Sequence, residues 1–590
     1  SNLVDLYQRS CARYADQPLY GTKKEGRWDW TTYGELAGLV DRCRAGLASR
    51  GVGKGDRVAI VADNCLEWAV AAYATYGLGA AYVPMYQAQR TDDRQHILRD
   101  CGARVVIVAN DAVLRDVSSM QLPDVEHLVV LDRPPGDAMS WATLLGAGAP
   151  VPATPPDPGS IADFIYTSGT TGRPKGVLLS HANLTSNVNA IHEMFTFDPC
   201  DRSLSFLPWA HSYGQICEVH GLISMGCSVA LNDAPANLLE NLIEIRPTIL
   251  FAVPRVFNRI YDAVNKQIDR RPGVVQRLIR GGIAGAVKRA QGMRLGPVER
   301  LELALDERLI FTKIREQFGG RLKYALSASA TLGREVAEFV DALGLTVYEA
   351  YGLTETSPIV SANLPGTRRL GSVGHVIPGV RVVIDHEVVG GDARQGEIVV
   401  YGPNVMVGYH ARGGEAVPTR TADGGFRTGD LGYLDDDGFL YITGRIKEQY
   451  KLENGKYVMP SPLEEELKLS PYIANVMLFG DGRPTNVALV AIDEARVREW
   501  AAAEGKTLGE DLTRDPAVRQ LLSDELALHS QGFRPFERPA DLVIVREDFT
   551  TENGLLTPTL KIRRPAVMAR YGALIEGAYA KTAERARAAS

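Results

Sequence analysis

Short β-branched runs separated by helix-length segments constrain this chain more than any other feature. Residues 57–62 (RVAIVA), 104–109 (RVVIVA) and 127–131 (HLVVL) alternate with helix-like stretches. That alternation predicts helices packed on largely parallel sheets. At 590 residues the chain exceeds what one hydrophobic core organises, so several subdomains are expected. Residues 68–86 (WAVAAYATYGLGAAYVPMY) carry no charge and are long enough for a membrane span. Small Ala and Gly side chains dominate there, Gly77 and Gly79 interrupt, and Pro84 lies near the end, which favours a buried helix, a turn and a strand.

Further along, residues 150–159 (PVPATPPDPG) cannot hold a helix and read as a linker into a strand at 161–166. The pattern from 255 to 300 is helical and basic. Past residue 370 it turns to Gly-punctuated strands, 396–401 (GEIVVY) and 439–443 (FLYIT). After Gly444 follow a charged turn and a Pro-started helix with Glu464, Glu465 and Glu466 expected in its first turn. The fold class expected is therefore α/β: a large N-terminal domain, 1–446, of two α/β subdomains plus a β-rich subdomain, and a smaller mobile α+β C-terminal domain, 447–590. Lys447 marks the expected hinge.

Lys+Arg 65 against Asp+Glu 71 leaves a net charge of −6, with no global cationic surplus for a nucleic-acid backbone. No nucleic-acid partner is expected. The seven cysteines form neither a C-x-x-C pair nor a zinc-spaced cluster with histidine, so each is read as a small buried apolar residue. The first residues lack the basic start, apolar stretch and cleavage site of a secretory signal. A cytoplasmic setting is expected. The basic 255–300 region, with Arg270, Arg271 and Arg277, reads as a solvated helical face or as a peripheral contact with anionic lipid, at the inner face of a membrane, or with cofactor phosphates.

Four segments carry chemistry. Residues 166–176 (YTSGTTGRPKG) follow a strand. Gly169 and Gly172 let backbone N–H groups approach phosphate oxygens, Thr167, Ser168, Thr170 and Thr171 add donors, and Lys175 adds charge. This is not a Walker A loop, because Pro174 stands where that motif requires glycine. In 351–355 (YGLTE), Tyr351 can stack on a purine, Gly352 permits close approach, Thr354 can bond a phosphate and Glu355 can bind Mg2+; a helix cap at Thr354 is the plainer alternative. In 426–431 (FRTGDL) and 444–447 (GRIK), Asp430 can accept from both ribose hydroxyls and Arg445 can donate to the sugar or a phosphate, or each can be an ordinary turn or surface residue. The last segment, 555–564 (LLTPTLKIRR), sets Lys561 in an apolar-flanked loop that by itself reads as a solvated basic patch.

In this order and over this distance the segments resemble the acyl-adenylate-forming superfamily of acyl-CoA synthetases, luciferases and peptide-synthetase adenylation domains. The resemblance runs from 30–36 (WTTYGEL) through 77–84 (GLGAAYVP) and 371–374 (GSVG) to Lys561. The helical stretch between 254–257 (PRVF) and 320–323 (GRLK), the enlarged C-terminal unit and the GLLTPTLKIRR loop are similar to the long-chain fatty acyl-CoA synthetase branch. One departure lies at 327–330 (SASA), where relatives usually carry glycine and where the methyl groups narrow the floor of the acyl or adenine site.

The resemblance implies ATP, Mg2+ and coenzyme A as cofactors, with a fatty acid and CoA as substrates. A fatty acid with a pKa of about 4–5 is already ionised at neutral pH, so its carboxylate attacks the α-phosphorus without a general base. Mg2+ on Glu355, with donors from 167–175 and Lys561, then meets the electrostatic barrier. By resemblance Lys561 bridges carboxylate and α-phosphate, Tyr351 lies against adenine, Asp430 and Arg445 hold the ribose, and His211 borders the acyl carboxylate. Rotation about Lys447 would bring the loop at Gly455 into place of Lys561 for thioester formation. Trp209, Tyr213 and Gln215 are candidates for the tunnel mouth. Alternatives are a fatty acyl-AMP ligase that delivers to a carrier protein and a catalytically silent nucleotide- or lipid-binding protein. A serine hydrolase is set aside because no G-x-S-x-G elbow occurs.

Overall fold

The computed structural model describes residues 1–132, 138–167, 173–290, 293–330, 332–388, 394–411, 417, 419–557 and 559–589. Ser168, Gly169, Thr170, Thr171 and Gly172 of the expected phosphate loop, and Pro558 of the lysine loop, lie outside them.

The β-branched runs become adjacent parallel strands. Ile161–Thr167, Ala81–Met85, Arg57–Val61, Val105–Val108 and His127–Val130 lie side by side in an eight-stranded sheet, with Lys175–Ser180 and Gly408–Tyr409 added antiparallel at one edge. Parallel strands need crossover connections, and the uncharged stretch supplies one: helix Leu66–Tyr76, buried from Trp68 onward, leads into strand Ala81–Met85. At 11 residues this helix spans about 16 Å, half of a bilayer core. Among the described residues no helix is long and apolar enough to cross a membrane.

A second, nine-stranded sheet holds strands Ile249–Ala252, Tyr324–Ser327 and Val347–Gly352 in parallel register. The two sheets share a continuous apolar cluster in which Trp68 and Trp209 are fully buried and meet edge to face. Helix His181–Met194 fits between them. Ser180 caps it reciprocally, its Oγ accepting from the Asn183 N–H (3.1 Å) and its own N–H donating to Asn183 Oδ1 (2.9 Å). The Gly-punctuated stretch forms an antiparallel sheet of Arg381–Asp385, Gly396–Tyr401, Phe426–Leu434 and Leu440–Arg445. The basic stretch forms helices Pro254–Asp269, Gly273–Ala290 and Pro297–Asp306.

The α/β architecture with a separate C-terminal domain is as expected. That domain has its own apolar core around the mixed sheet Ile473–Phe479, Asn486–Ile492 and Pro539–Val545. It is seated on the helical stretch: Leu469 joins the apolar cluster of Phe257, Val336 and Phe339, and Lys266 pairs with Glu499 at 3.0 Å. One local expectation is corrected. Helix Pro460–Leu467 starts at the first of its two prolines, so Glu464, Glu465 and Glu466 fall in its second turn. Glu464 instead faces the domain interior, accepting from the Leu478 N–H (2.7 Å) and pairing with Arg564 (2.6 Å). The cysteine reading needs a similar correction, since Cys200 is exposed and Cys65 half-buried while the other five are buried.

Candidate active site

Strand register builds the site. Thr167 ends one strand, Lys175 begins the next, and the two face each other as an antiparallel pair at the mouth of the loop they enclose. Asp430 and Arg445 are likewise register partners on adjacent strands of the small sheet. Tyr351 arrives on strand Val347–Gly352 of the nine-stranded sheet. All five side chains line one cleft of about 1420 Å3, together with His211, Thr354, Glu355, Lys447 and Lys561. This volume exceeds the several hundred Å3 of an ordinary small-molecule site, which suits more than one substrate group.

Within the cleft the Tyr351 hydroxyl donates to Asp430 Oδ2 (2.7 Å), and Arg445 Nε meets Asp430 Oδ1 at 2.9 Å. Each carboxylate oxygen has a second lone-pair direction, so Asp430 can still accept from two vicinal hydroxyls. The buried Tyr351 phenol is held well above its usual range by burial and then by the Asp430 charge, so it remains a donor. Gly352 admits no side chain: a Cβ there would stand 1.8 Å from the Pro358 carbonyl oxygen. The chain therefore turns tightly into Thr354–Thr356, and Thr354 is not a helix cap but the start of that turn, its Oγ1 3.2 Å from Ser212 Oγ.

Glu355 accepts the Tyr409 hydroxyl at Oε1 (2.8 Å). No group of three or more His, Cys, Asp or Glu side chains gathers to hold a metal ion among the described residues. A single carboxylate in an open cleft fits Mg2+, which binds through one or two carboxylates and completes its shell with phosphates and water. His211 caps a short helical turn, Nδ1 accepting from the Tyr213 N–H (3.2 Å). Burial, helped by the Lys561 charge, lowers its pKa to about 4, so it is a neutral imidazole at physiological pH.

Lys561 comes from the C-terminal domain. Its loop is closed by the Thr557 N–H on the Lys561 carbonyl (2.8 Å) and the Lys561 N–H on Thr557 Oγ1 (3.1 Å). Leu560, next to it, holds a φ of 60°, a left-handed conformation that a branched side chain adopts at a cost of about 1–3 kcal/mol. The Lys561 side chain keeps substantial accessible surface because the cleft around it is open, yet protein surrounds it beyond that space. Desolvation, followed by repulsion from Arg445, lowers its pKa to about 8.

Other expectations fall differently. Gly455 sits at φ 85° in the turn between strands Tyr450–Lys451 and Tyr457–Val458, outside the cleft lining. Tyr213 lines the cleft, but Trp209 and Gln215 do not: both are fully buried, Trp209 donating to Glu218 (3.0 Å) and Gln215 to Asp163 (2.7 Å). Their N–H groups were the misleading signal, being engaged within the core rather than at a tunnel mouth, while Gln215 Oε1 is buried without a hydrogen-bond partner among the described residues. Ala328, Ser329 and Ala330 do line the cleft, with Ser329 at φ 75°, the left-handed region in which glycine is free of strain. Sequence reasoning missed Tyr409, whose only local signal is a bare Gly-Tyr-His, and the apolar arm of the cleft formed by Ile191, Met194, Phe195, Phe197, Cys217 and Phe251.

The chain matches the AMP-binding enzyme family over residues 7–410 and the AMP-binding enzyme C-terminal domain over residues 447–583. It is 33% identical to peroxisomal long chain acyl-CoA synthetase 7 of Arabidopsis thaliana, covering 98% of this chain and 87% of that protein. It is 32% identical to a long-chain-fatty-acid–CoA ligase of Mycobacterium bovis, covering 96% of this chain and 95% of that protein. Its fold superposes on the adenylation domain of a carboxylate reductase from Mycobacterium chelonae with a TM-score of 0.80 at 23% identity, covering 98% of this chain and 91% of that one. The chain thus belongs to the AMP-binding, acyl-adenylate-forming enzymes, in their long-chain fatty acyl-CoA synthetase branch.

Proposed function

We infer that this chain joins a long-chain fatty acid to coenzyme A in an ATP-dependent reaction through acyl-AMP, releasing AMP and pyrophosphate. The observation that carries the reading is the cleft itself. It is lined both by Lys175, Glu355, Asp430, Arg445 and Lys561, from segments nearly 400 residues apart, and by Ile191, Met194, Phe195, Phe197 and Phe251. The charged lining suits a nucleotide and its phosphates, the apolar lining a hydrocarbon tail.

In this reading the ionised acid attacks the α-phosphorus, an acyl–phosphate bond forms, and the bond to pyrophosphate breaks. Mg2+, when bound, supplies charge neutralisation along the phosphates. Asp430 and Arg445 hold the ribose while Tyr351 keeps the Asp430 carboxylate oriented and its ring against adenine. Lys175, with the donors of 167–172, grips the phosphates. Lys561, cationic below pH 8, bridges the carboxylate and the α-phosphate, and neutral His211 borders the carboxylate without adding a competing charge. Thioester formation then requires that Lys561 leave. The division into 1–446 and 447–590, with rotation about Lys447, lets the Gly455 turn take its place beside the adenylate. An ATP–pyrophosphate exchange survey across fatty acids of graded length, followed by CoA addition, tests the reading: exchange and acyl-CoA release support it, and acyl-AMP that stalls with CoA but passes to a carrier protein favours the ligase alternative.

A finer component concerns where the acid is collected. Arg270, Arg271 and Arg277 are exposed, and helix Pro297–Asp306 turns Val298 and Leu301, 67% and 64% exposed, toward solvent. Its Glu299 pairs with Lys288 at 2.6 Å. Exposed cations and exposed apolar side chains on neighbouring helices suit peripheral contact with anionic lipid. Salt-sensitive liposome binding that disappears when Arg270, Arg271 and Arg277 become Glu supports this component; binding unchanged by those substitutions removes it.

A further inference from the structure

Tyr409 lies in none of the motif segments, yet it touches two of them. We propose that Tyr409 is a positioning residue that fixes the Glu355 carboxylate for the divalent cation by donating its hydroxyl to Oε1 (2.8 Å). The inference rests on the reading of Glu355 as the metal-side carboxylate.

The geometry of a short strand carries it. Gly408–Tyr409 pairs antiparallel with the strand that begins at Lys175, Gly408 opposite Leu178 and Tyr409 opposite Val177. Just before it, the Met406 N–H donates to the Glu355 carbonyl (2.9 Å). One segment therefore grips Glu355 twice, by backbone and by side chain. The ring of the same side chain meets a cation: Lys175 Nζ stands 5.5 Å from the centre of the Tyr409 ring. The phosphate-loop lysine and the metal-side carboxylate are thus set against one aromatic side chain.

A glutamate in an open cleft has three free torsions, and ordering it on ligand arrival costs affinity. A hydrogen bond from a half-buried phenol on a sheet edge fixes the carboxylate beforehand, while Oε2 has no hydrogen bond among the described residues. Groups that orient a metal-binding carboxylate from outside the coordination sphere are worth roughly tenfold or more in metal affinity.

The test uses the full chain, Mn2+ as a paramagnetic probe and α,β-methylene-ATP as the nucleotide, with free Mn2+ read by electron paramagnetic resonance. Tyr409→Phe, which keeps the ring over Lys175, should weaken Mn2+ binding roughly tenfold. Glu355→Gln should weaken it at least as much, and the double variant no further than Glu355→Gln alone. Glu355→Asp keeps the charge but withdraws it from the hydroxyl, and should fall as Tyr409→Phe does; it carries the test if Tyr409→Phe does not fold. In turnover, Tyr409→Phe should recover toward the unsubstituted enzyme as Mg2+ is raised. Loss in Glu355→Gln with unsubstituted affinity in Tyr409→Phe or Glu355→Asp would overturn the positioning role and leave Glu355 in place. Unsubstituted affinity in Glu355→Gln would instead overturn the metal-side reading of Glu355, and the inference with it.

Discussion

The wall of the cleft contributed by the large domain and the wall contributed by the C-terminal domain present similar chemistry on different supports. On the first, Tyr351, Asp430 and Arg445 form a hydrogen-bonded chain anchored on strands of two sheets, and Asp430 is only 2% exposed. On the second, Lys561 rides a short loop whose backbone closes on Thr557, and its amine makes no hydrogen bond or ion pair among the described residues. The functional side chains of the first support are cross-braced by bonds to one another, and the lysine amine of the second is not. In the proposed mechanism nucleotide recognition falls to the braced wall and the catalytic charge to the loop, an asymmetry that suits two successive half-reactions in one cleft.

The sharpest break of this comparison is Lys561→Ala. Removing the charge proposed to bridge carboxylate and α-phosphate should lower adenylate formation on the order of 100- to 1000-fold, the range for loss of a preorganised electrostatic donor. Thiolation of supplied acyl-AMP should be largely spared, since the proposed rotation withdraws the loop in that step. Equal loss in both half-reactions, measured by pyrophosphate exchange and by acyl-CoA release, would mean that the loop stays.

Lys447→Pro should invert the pattern. Lys447 follows strand Leu440–Arg445, and around it the Ile446 N–H holds the Gly429 carbonyl (2.8 Å) and the Glu448 N–H the Arg445 carbonyl (3.1 Å). The Lys447 N–H itself makes no hydrogen bond among the described residues. Proline there removes no hydrogen bond and locks φ near −65°. Adenylation should persist and thioester formation fall steeply. A second step as fast as in the unsubstituted enzyme would exclude rotation at this residue. Rotation must also release Leu469 from its apolar cluster and Lys266 from Glu499, so the seated arrangement is held by contacts outside the cleft.

Protonation sharpens the comparison more gently. With its pKa lowered to about 8, Lys561 is charged below that pH and neutral above it. The kcat/KM for adenylation should then fall about tenfold per pH unit above 8, because that ratio reports the free enzyme. Thiolation of acyl-AMP should lack this limb. Lys561→Arg, whose guanidinium stays charged, should remove the limb at reduced activity. A limb that persists in Lys561→Arg would assign the titration to another group.

How much of this was legible beforehand follows the range of the interactions. Strands such as Ile161–Thr167 and Gly396–Tyr401 announce themselves because β-branching and flanking Gly or Pro act within a few residues. Asp430 and Arg445 were visible as motif residues, but their opposition is a matter of strand register. Tyr409 and Glu355 are 54 residues apart, and nothing in Gly-Tyr-His says which carboxylate the hydroxyl will meet. Trp209 and Gln215 misled for the same reason: a polar aromatic and an amide near His211 read equally well as tunnel lining or as satisfied core groups, and only Glu218 and Asp163, brought in by folding, decide between them.

The apolar arm belongs to the large-domain wall and should set chain length without touching the half-reactions. Helix His181–Met194 is followed by Phe195 and Phe197, whose rings stack at 5.6 Å and 13°. Both line the cleft, Phe195 buried and Phe197 half-buried, while Thr196 between them and Asp198 beyond are exposed, and Phe197 is taken as the end of the arm. Burial is worth about 0.8 kcal/mol per methylene, near fourfold in affinity, until the tail meets that ring. Phe197→Ala should therefore shift the preference of kcat/KM toward longer acids, by about fourfold for each further methylene the truncated arm accepts. Short acids, whose tails stop before Phe197, should be activated as before. A length profile that does not move would place the end of the arm elsewhere. A profile that moves together with the ratio of adenylation to thiolation rates would show that the large-domain wall is not rigid and takes part in the motion.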